Sequence, residues 1–153
     1  MTEGNALARA CAEAMWQDDR ASRDLGMEIL AIAPGRARLA MTIRAEMVNG
    51  HGTCHGGFIF LLADSAFAFA CNSENEKAVA QHCAITFLRP VKLGERLEAE
   101  ATKRGEAGRS GIYDITVRNA GGAVIAEFRG QSRRLGERFF PEQVPEEAAD
   151  AAP

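Results

Sequence analysis

Hydrophobic residues recur with two different spacings along the chain, and the spacing separates predicted helices from predicted strands. Residues 5–19 form a predicted helix with Asn5 as its N-cap. The apolar stripe of this helix repeats every four residues, at Leu7, Cys11 and Met15. Elsewhere apolar and polar residues mostly alternate, which is typical of half-buried strands. This alternation predicts six strands, at residues 27–33, 36–44, 79–88, 96–102, 113–118 and 124–128.

Residues 56–72 depart from both patterns because almost every position is apolar. The apolar stretch is about fourteen residues long and contains Asp64, so it is too short and too polar to span a membrane. A helix that is apolar on every side must be enclosed, and a curved sheet is the only large partner among the predicted elements. The order of elements therefore predicts an α+β fold, in which one long antiparallel β-sheet wraps around a central apolar helix, with an N-terminal helix beside it.

Length and charge indicate one domain followed by a tail. A chain of 153 residues can build one hydrophobic core, which we place in residues 1–135. Residues 136–153 hold five acidic residues, one arginine and three prolines, and we predict a disordered acidic tail there. The rest of the chain carries 17 basic and 16 acidic residues, which is too balanced for a nucleic-acid-binding surface.

The four cysteines are scattered, without a CxxC pair or a metal-type spacing. No segment has the basic start, apolar centre and small-residue cleavage site of a secretory signal. We therefore expect reduced thiols, a cytoplasmic location, no membrane partner and no bound metal.

The loop before the apolar helix ends in His55-Gly56-Gly57. The first N–H groups of a helix have no partner inside it and lie at the positive end of the helix dipole. Because Gly56 has no side chain, a phosphate or the carbonyl oxygen of an acyl group could approach these donors closely. The structural alternative is that two glycines simply permit a tight turn into the helix.

Asp64 places one carboxylate in the middle of the apolar helix. Its neighbours one turn away are all uncharged: Phe60, Leu61, Phe67 and Ala68. Burying an ionised carboxylate is costly unless it is paired, hydrogen-bonded or facing a cavity. A buried ion pair or a cap for a nearby loop would be the structural explanation, but no cation on the helix can pair with Asp64. The surroundings favour a carboxylate that faces a pocket.

Gly56 and Asp64 are eight residues apart, which is roughly 12 Å along one helix axis. Two groups that act on one atom must each lie about 3 Å from it, so one helix cannot easily supply both. Two antiparallel helices could, with Gly56 of one chain opposite Asp64 of the other. The spacing therefore predicts a symmetric homodimer with two shared active sites.

Two other sites in the same loop are less well supported. Cys54 and His55 suggest a cysteine hydrolase, but adjacent side chains of an extended segment point in opposite directions. A zinc site would need His51 and Asp64 in addition to these two residues, and no second ligand cluster accompanies them.

The stretch MVNGHGTCHGGFIFLLADSAFAFACN, followed by ITFLRPVKLGERLEAEA, resembles the hotdog-fold acyl-CoA thioesterases, and most closely their phenylacetic acid degradation branch. The resemblance runs from about residue 10 to residue 135 and includes YDITVRNAGGAVIAEFRGQSRRLG. Its most specific part is the HGG sequence with an aspartate eight residues after the first glycine.

The resemblance implies a hotdog fold and a role for each residue of the central motif. The N–H of Gly56 would polarise the thioester carbonyl, and Asp64 of the facing subunit would be the catalytic carboxylate. Asn49 and His55 belong to the same catalytic set and would position the loop, the water or the target of the carboxylate.

The implied reaction is hydrolysis of phenylacetyl-CoA or hydroxyphenylacetyl-CoA to the free acid and CoA. Asp64 would act as nucleophile or as general base, while Gly57 and the hydroxyl of Ser65 would contact the substrate. No cofactor is implied, since coenzyme A is part of the substrate, and a homotetramer is common in the family. Two alternatives remain: a hotdog hydratase or dehydratase acting on acyl thioesters, and an acyl-CoA-binding module without turnover.

Overall fold

The computed structural model describes residues 2–141 of the chain. Two helices, two strands, a third helix and four strands follow one another within this range. They are α1 (Glu3–Asp18), α2 (Arg20–Asp24), β1 (Glu28–Ala33), β2 (Arg36–Thr42), α3 (Gly56–Cys71), β3 (Ala78–Phe87), β4 (Arg96–Ala107), β5 (Ser110–Asn119) and β6 (Val124–Arg134), with a 3₁₀ turn at Ala45–Met47. The strands form one antiparallel sheet with the order β1-β2-β4-β5-β6-β3. The predicted α+β arrangement is therefore confirmed.

The N-terminal helix differs from its prediction in where it begins. Its N-cap is Thr2, whose hydroxyl oxygen accepts a hydrogen bond from the N–H of Asn5 at 3.1 Å. The prediction of Asn5 as the N-cap is wrong, because threonine is also a good cap and lies early enough to add a first turn. The short helix α2 follows directly and is capped by Asp19, which accepts from the N–H of Ser22 at 3.0 Å.

The central helix α3 lies against the inner face of the sheet. Leu62, Ala63, Ala66 and Phe67 of this helix are completely or almost completely buried. The Phe67 ring packs against Tyr113 of β5 and Phe128 of β6, with ring centroids 5.5 and 6.1 Å apart. The alternating apolar residues of β2, β4 and β5 complete this core: Ala37, Leu39, Met41, Leu97, Ala99, Ala101, Ile115 and Val117. The sheet thus encloses the helix that the sequence predicted to need enclosure.

Helices α1 and α2 cover a further side of α3. The Trp16 ring of α1 lies 6.0 Å from the Phe69 ring of α3, measured between centroids. Ala8, Cys11 and Ala12 are the buried residues of α1. This side of the central helix is therefore closed by the chain itself.

Strand β3 forms one edge of the sheet, where it pairs with β6. Its outer edge carries backbone groups available for pairing with a further strand. Two large apolar residues of β3, Val79 and Phe87, are each 48% exposed. The chain therefore leaves apolar surface uncovered along this edge.

The predicted tail is described only in its first residues. The carbonyl of Glu137 accepts from the N–H of Lys77 at 2.8 Å. The side-chain oxygen of Asn75 accepts from the N–H groups of Phe139 and Phe140 at 3.1 and 2.9 Å. Residues 137–140 are therefore bound to the segment before β3, so the disorder predicted for 136–153 does not hold for them. The rest of that prediction, for residues 142–153, lies outside the described residues. None of the helices within 2–141 combines the length and hydrophobicity that a bilayer crossing requires.

Candidate active site

Asn49 organises the loop that leads into α3. Its side-chain oxygen accepts from the N–H of His51 at 2.9 Å and from the N–H of Thr53 at 3.3 Å. Its own N–H donates to the carbonyl of Thr53 at 2.8 Å. These bonds close the segment 49–53 into a compact loop, so the observed role of Asn49 is to hold the backbone that precedes the helix.

His55 caps α3 through its ring. The Nδ1 atom of His55 accepts from the N–H of Gly57 at 3.0 Å, and the N–H of His55 donates to the carbonyl of Met47 at 2.7 Å. Because Nδ1 accepts, it carries no proton in this arrangement. The N–H of Gly57 is therefore already hydrogen-bonded and is not free to bind a substrate. The predicted substrate contact of Gly57 stays a prediction.

Gly56 supplies the free donor at the start of the helix. Its N–H makes no hydrogen bond to any group within residues 2–141. A Cβ atom at this position would lie 2.8 Å from Cζ of Phe87, closer than real contacts allow. A side chain at position 56 would therefore force the Phe87 ring to move, while the backbone donor faces the N-terminal end of α3.

Asp64 lies two turns further along α3, on the side that faces β3. Its carboxylate is half-buried, and its Oδ1 lies 4.0 Å from Sγ of Cys83 on β3. None of the ion pairs formed within the described range 2–141 includes Asp64. Removal from water raises the pKa of Asp64 above its ordinary value. The structural alternative of a buried ion pair is thus not what the described residues form.

Ser65 points to the opposite side of the central helix. Its hydroxyl is buried and lies 2.8 Å from the hydroxyl oxygen of Ser22 in α2, which in turn donates to Asp19 at 2.7 Å. Successive helical residues are about 100° apart around the axis, so Ser65 and its neighbour Asp64 meet different surroundings. In this structure the hydroxyl of Ser65 holds α2 against α3, and the expected substrate contact of Ser65 stays a prediction.

Comparison with known proteins identifies the family. The sequence profile described as the thioesterase superfamily matches residues 51–126. The acyl-coenzyme A thioesterase PaaI of Escherichia coli is 46% identical over 125 residues, which cover 82% of this chain and 89% of the relative. The chain belongs to the thioesterase superfamily. It is a thioester hydrolase, as the sequence predicted.

Solved structures of two bacterial relatives share the fold of this thioesterase. The structure of the Escherichia coli PaaI protein from the phenylacetic acid degradation operon superposes with a TM-score of 0.86 at 43% identity, covering 88% of this chain and 97% of that one. A mutant of the phenylacetic acid degradation protein PaaI from Thermus thermophilus superposes with a TM-score of 0.74 at 40% identity, covering 76% of this chain and 100% of that one. The predicted hotdog fold and the family resemblance are confirmed.

Two residues beside the thioesterase motif were not predicted as part of the site. Cys83 contacts Asp64, and Phe87 contacts Gly56. Both belong to β3, and the alternation of Cys83, Ile85 and Phe87 in the sequence places them on one face of this strand. That alternation was the available signal, but it does not reveal which helical residues the face meets.

The loop cysteine does not form a catalytic pair with its neighbour. Cys54 is buried, and its thiol donates to the backbone carbonyl oxygen of His55 at 3.4 Å. The bond goes to this carbonyl and not to the imidazole ring of His55, which is exposed. Burial raises the pKa of the Cys54 thiol, which disfavours the thiolate that a nucleophile needs. A search of residues 2–141 also finds no group of three or more His, Cys, Asp or Glu side chains arranged to hold a metal ion.

Proposed function

We propose that this thioesterase hydrolyses arylacetyl-CoA, with phenylacetyl-CoA or hydroxyphenylacetyl-CoA as substrate, in the cytoplasm. The observation that carries the proposal is that α3 holds both groups a thioesterase needs. The N–H of Gly56 is free, and the half-buried carboxylate of Asp64 has no counter-ion among the described residues. The similarity to acyl-coenzyme A thioesterase PaaI supports the choice of a CoA thioester. No metal or other cofactor takes part, and CoA leaves as product.

The N–H of Gly56 binds the thioester carbonyl. As a nucleophile attacks the carbonyl carbon, negative charge develops on the oxygen, and a fixed backbone donor at the positive end of a helix stabilises that charge. The cap formed by His55 and the loop held by Asn49 keep this donor in place. These two residues therefore serve as positioning residues for Gly56.

Asp64 supplies the second catalytic group by one of two routes. In the first, its carboxylate attacks the carbonyl carbon, the C–S bond breaks, CoA leaves as a thiolate that takes a proton, and water opens the resulting mixed anhydride. In the second, Asp64 removes a proton from water, whose oxygen attacks the carbonyl carbon before the C–S bond breaks. Label in the Asp64 carboxylate after a single turnover in ¹⁸O-labelled water would establish the first route, because only there can water add to the carbonyl carbon of Asp64.

Two copies of the chain build each site in this proposal. Gly56 and Asp64 are roughly 12 Å apart along one helix, too far to act on one carbonyl. Two clefts of the single chain, of about 320 and 360 Å³, lie on the sheet around Arg38 and Glu100, and neither includes Gly56 or Asp64. The unpaired edge of β3, where Val79 is exposed, gives a second copy a place to bind. The homotetramer common in the family stays a prediction.

Complementation between two inactive variants tests the shared site. Asp64→Asn removes the carboxylate, and Gly56→Pro removes the N–H donor at the first position of α3, where proline is compatible with a helix. If each site takes Gly56 from one chain and Asp64 from the other, a mixed dimer contains one intact site. Mixing equal amounts after reversible dissociation should then restore about a quarter of native phenylacetyl-CoA hydrolysis. Sites built within one chain would give no recovery, and that result would end the shared-site proposal.

A thiol-release assay over a panel of acyl-CoA thioesters tests the reaction itself. We expect the largest kcat/KM with phenylacetyl-CoA or its hydroxylated analogue. Hydration or dehydration of an unsaturated acyl-CoA without thiol release would instead indicate the hydratase alternative. Tight binding without any product would indicate the acyl-CoA-binding alternative.

A further inference from the structure

Phe87 combines two properties that rarely occur together in one residue. It is 48% exposed, although it is a large apolar side chain at the end of a strand. Its ring nevertheless lies directly against Gly56, with Cζ and the two Cε atoms 2.8, 3.2 and 3.3 Å from the position of a Cβ on that glycine. An exposed ring in firm contact with the proposed carbonyl-binding residue is placed to meet a ligand.

The direction of the contact matters as much as its length. Every Cα–Cβ bond of an α-helix tilts toward the N-terminal end, which is also the direction of the free N–H groups. The ring that fills the Cβ direction of Gly56 therefore borders the space in front of its N–H. An acyl group whose carbonyl oxygen reaches this N–H must pass beside the face or edge of Phe87.

The neighbouring donor has a ring beside it as well. A Cβ on Gly57 would lie 3.2 Å from Nδ1 of His55, and this ring stands edge-on to Phe58 at 6.5 Å between centroids. The imidazole is occupied by its hydrogen bond to Gly57. Phe87, in contrast to His55, needs no polar partner and offers an apolar surface beside Gly56.

We propose that Phe87 is a specificity-determining residue, whose ring forms the wall against which a flat aryl group of the substrate packs while its carbonyl binds Gly56. This inference rests on the proposed function, since it names the acyl group that the same site prefers. Offset or edge-to-face contact between two rings favours an aromatic acyl group over a flexible aliphatic one of similar size. The ring also fills the space that a side chain at position 56 would need.

Substrate preference in Phe87 variants tests the proposal. Phe87→Leu keeps an apolar side chain and Phe87→Ala removes it, and each is assayed by thiol release with phenylacetyl-CoA and hexanoyl-CoA. The expected result is a fall of about fivefold in the ratio of the two kcat/KM values. Leu88→Ala is the matched control, because Leu88 is the adjacent residue and is 55% exposed, while the three atoms nearest a Cβ on Gly56 all belong to Phe87. Light scattering confirms that each variant keeps the native oligomeric state.

The possible results separate the two proposals. A native enzyme that is active on acyl-CoA but keeps its preference in both Phe87 variants overturns only the inference about Phe87. A native enzyme that releases no thiol from any acyl-CoA overturns the proposed function, and the inference with it. A fall in the ratio that Leu88→Ala reproduces also counts against Phe87, because it would follow from general disturbance of the surface.

A double-mutant cycle gives an independent readout. If the ring is what excludes a side chain at position 56, Gly56→Ala should cost several-fold less kcat/KM with hexanoyl-CoA in the Phe87→Ala background than in the native background. Equal losses in the two backgrounds would show that Phe87 does not border the donor, and this would overturn the proposal.

Discussion

The two sides of α3 are both mostly apolar, but they differ in what surrounds the polar residue on each side. Toward α2, the polar residue Ser65 is buried and bonded to Ser22, and the chain closes over it. Toward β3, the polar residue Asp64 is half-buried, and within residues 2–141 its carboxylate has the thiol of Cys83 as its one hydrogen-bonding neighbour. Ser65 thus lies on a closed side of the helix with its hydroxyl hydrogen-bonded. Its neighbour Asp64 lies on an open side, with only this weak partner among the described residues.

The contrast separates, on the same helix, a residue that stabilises the fold from a residue that takes part in the reaction. A buried hydroxyl with a partner contributes to folding, because leaving either partner unbonded costs free energy. A carboxylate kept partly from water without a cation costs stability, and such a cost persists at sites that perform chemistry. We therefore expect substitutions on the β3 side to change activity and substitutions on the α2 side to change stability.

The largest expected effect is loss of turnover in Asp64→Asn. The amide keeps the size of the side chain but can neither attack a carbonyl carbon nor accept a proton from water. We expect kcat for phenylacetyl-CoA to fall at least about 100-fold, with the oligomeric state unchanged. Asp18→Asn, the same chemical change at an exposed position of α1, is the control and should keep native kcat. Near-native turnover in Asp64→Asn would remove this residue from the mechanism.

The raised pKa of Asp64 gives a dependence on pH with a definite sign. Both routes need the ionised carboxylate, so the acid limb of the kcat/KM profile should lie above pH 3.8, the ordinary value for aspartate. Burial favours the protonated form in the folded state, so this group stabilises the fold most below its unfolded pKa. That contribution is lost as pH rises through the folded pKa.

Two measurements check this prediction. The kcat/KM profile from mildly acidic to neutral pH locates the acid limb, and a limb at or below pH 3.8 would contradict the raised pKa. Thermal unfolding of the native enzyme and of Asp64→Asn over the same range checks the sign. The native enzyme should lose stability relative to the variant as pH rises, and the opposite trend would indicate a favourable partner for the carboxylate.

The opposite side of the helix should respond in stability. Ser65→Ala removes the buried bond to Ser22 and should cost about 1 kcal/mol of unfolding free energy, or a few degrees in Tm. The kcat/KM value should stay within about twofold of native. Ser22→Ala should behave in the same way, and the double variant should lose less than the sum of the two. A loss of kcat comparable to that of Asp64→Asn would instead support the predicted substrate contact of Ser65.

The fold could be predicted from the sequence because its decisive signals are local. A helix without a polar face needs enclosure, and alternating strands on either side of it leave a single sheet as the means. The positions of Gly56 and Asp64 follow from the same segment, since the start of the helix and a lone carboxylate are visible in the residues themselves.

The remaining features of the site depend on contacts between distant segments. The resemblance implied a substrate contact for Ser65, and only the packing of α2 shows that its hydroxyl faces away from Asp64. The engagement of Gly57 depends on which way the His55 ring turns. Cys83 and Phe87 meet the helix through the placement of β3 at the sheet edge, and strand alternation alone does not fix that placement.

The smallest expected effect concerns Cys83, the residue in contact with Asp64 on the open side of the helix. Burial and the nearby carboxylate raise the pKa of this thiol, so it keeps its proton at neutral pH and can donate weakly to Oδ1 across 4.0 Å. Cys83→Ala should therefore move the acid limb of kcat/KM upward and lower kcat/KM at about pH 5 by about twofold, with little change at about pH 8. Cys11→Ala is the control, because Cys11 is a buried thiol of α1 and its raised pKa comes from burial, without a contribution from Asp64. A uniform loss at both pH values would show that Cys83 acts through packing alone. A loss confined to low pH would show that the Cys83 thiol helps to keep Asp64 ionised.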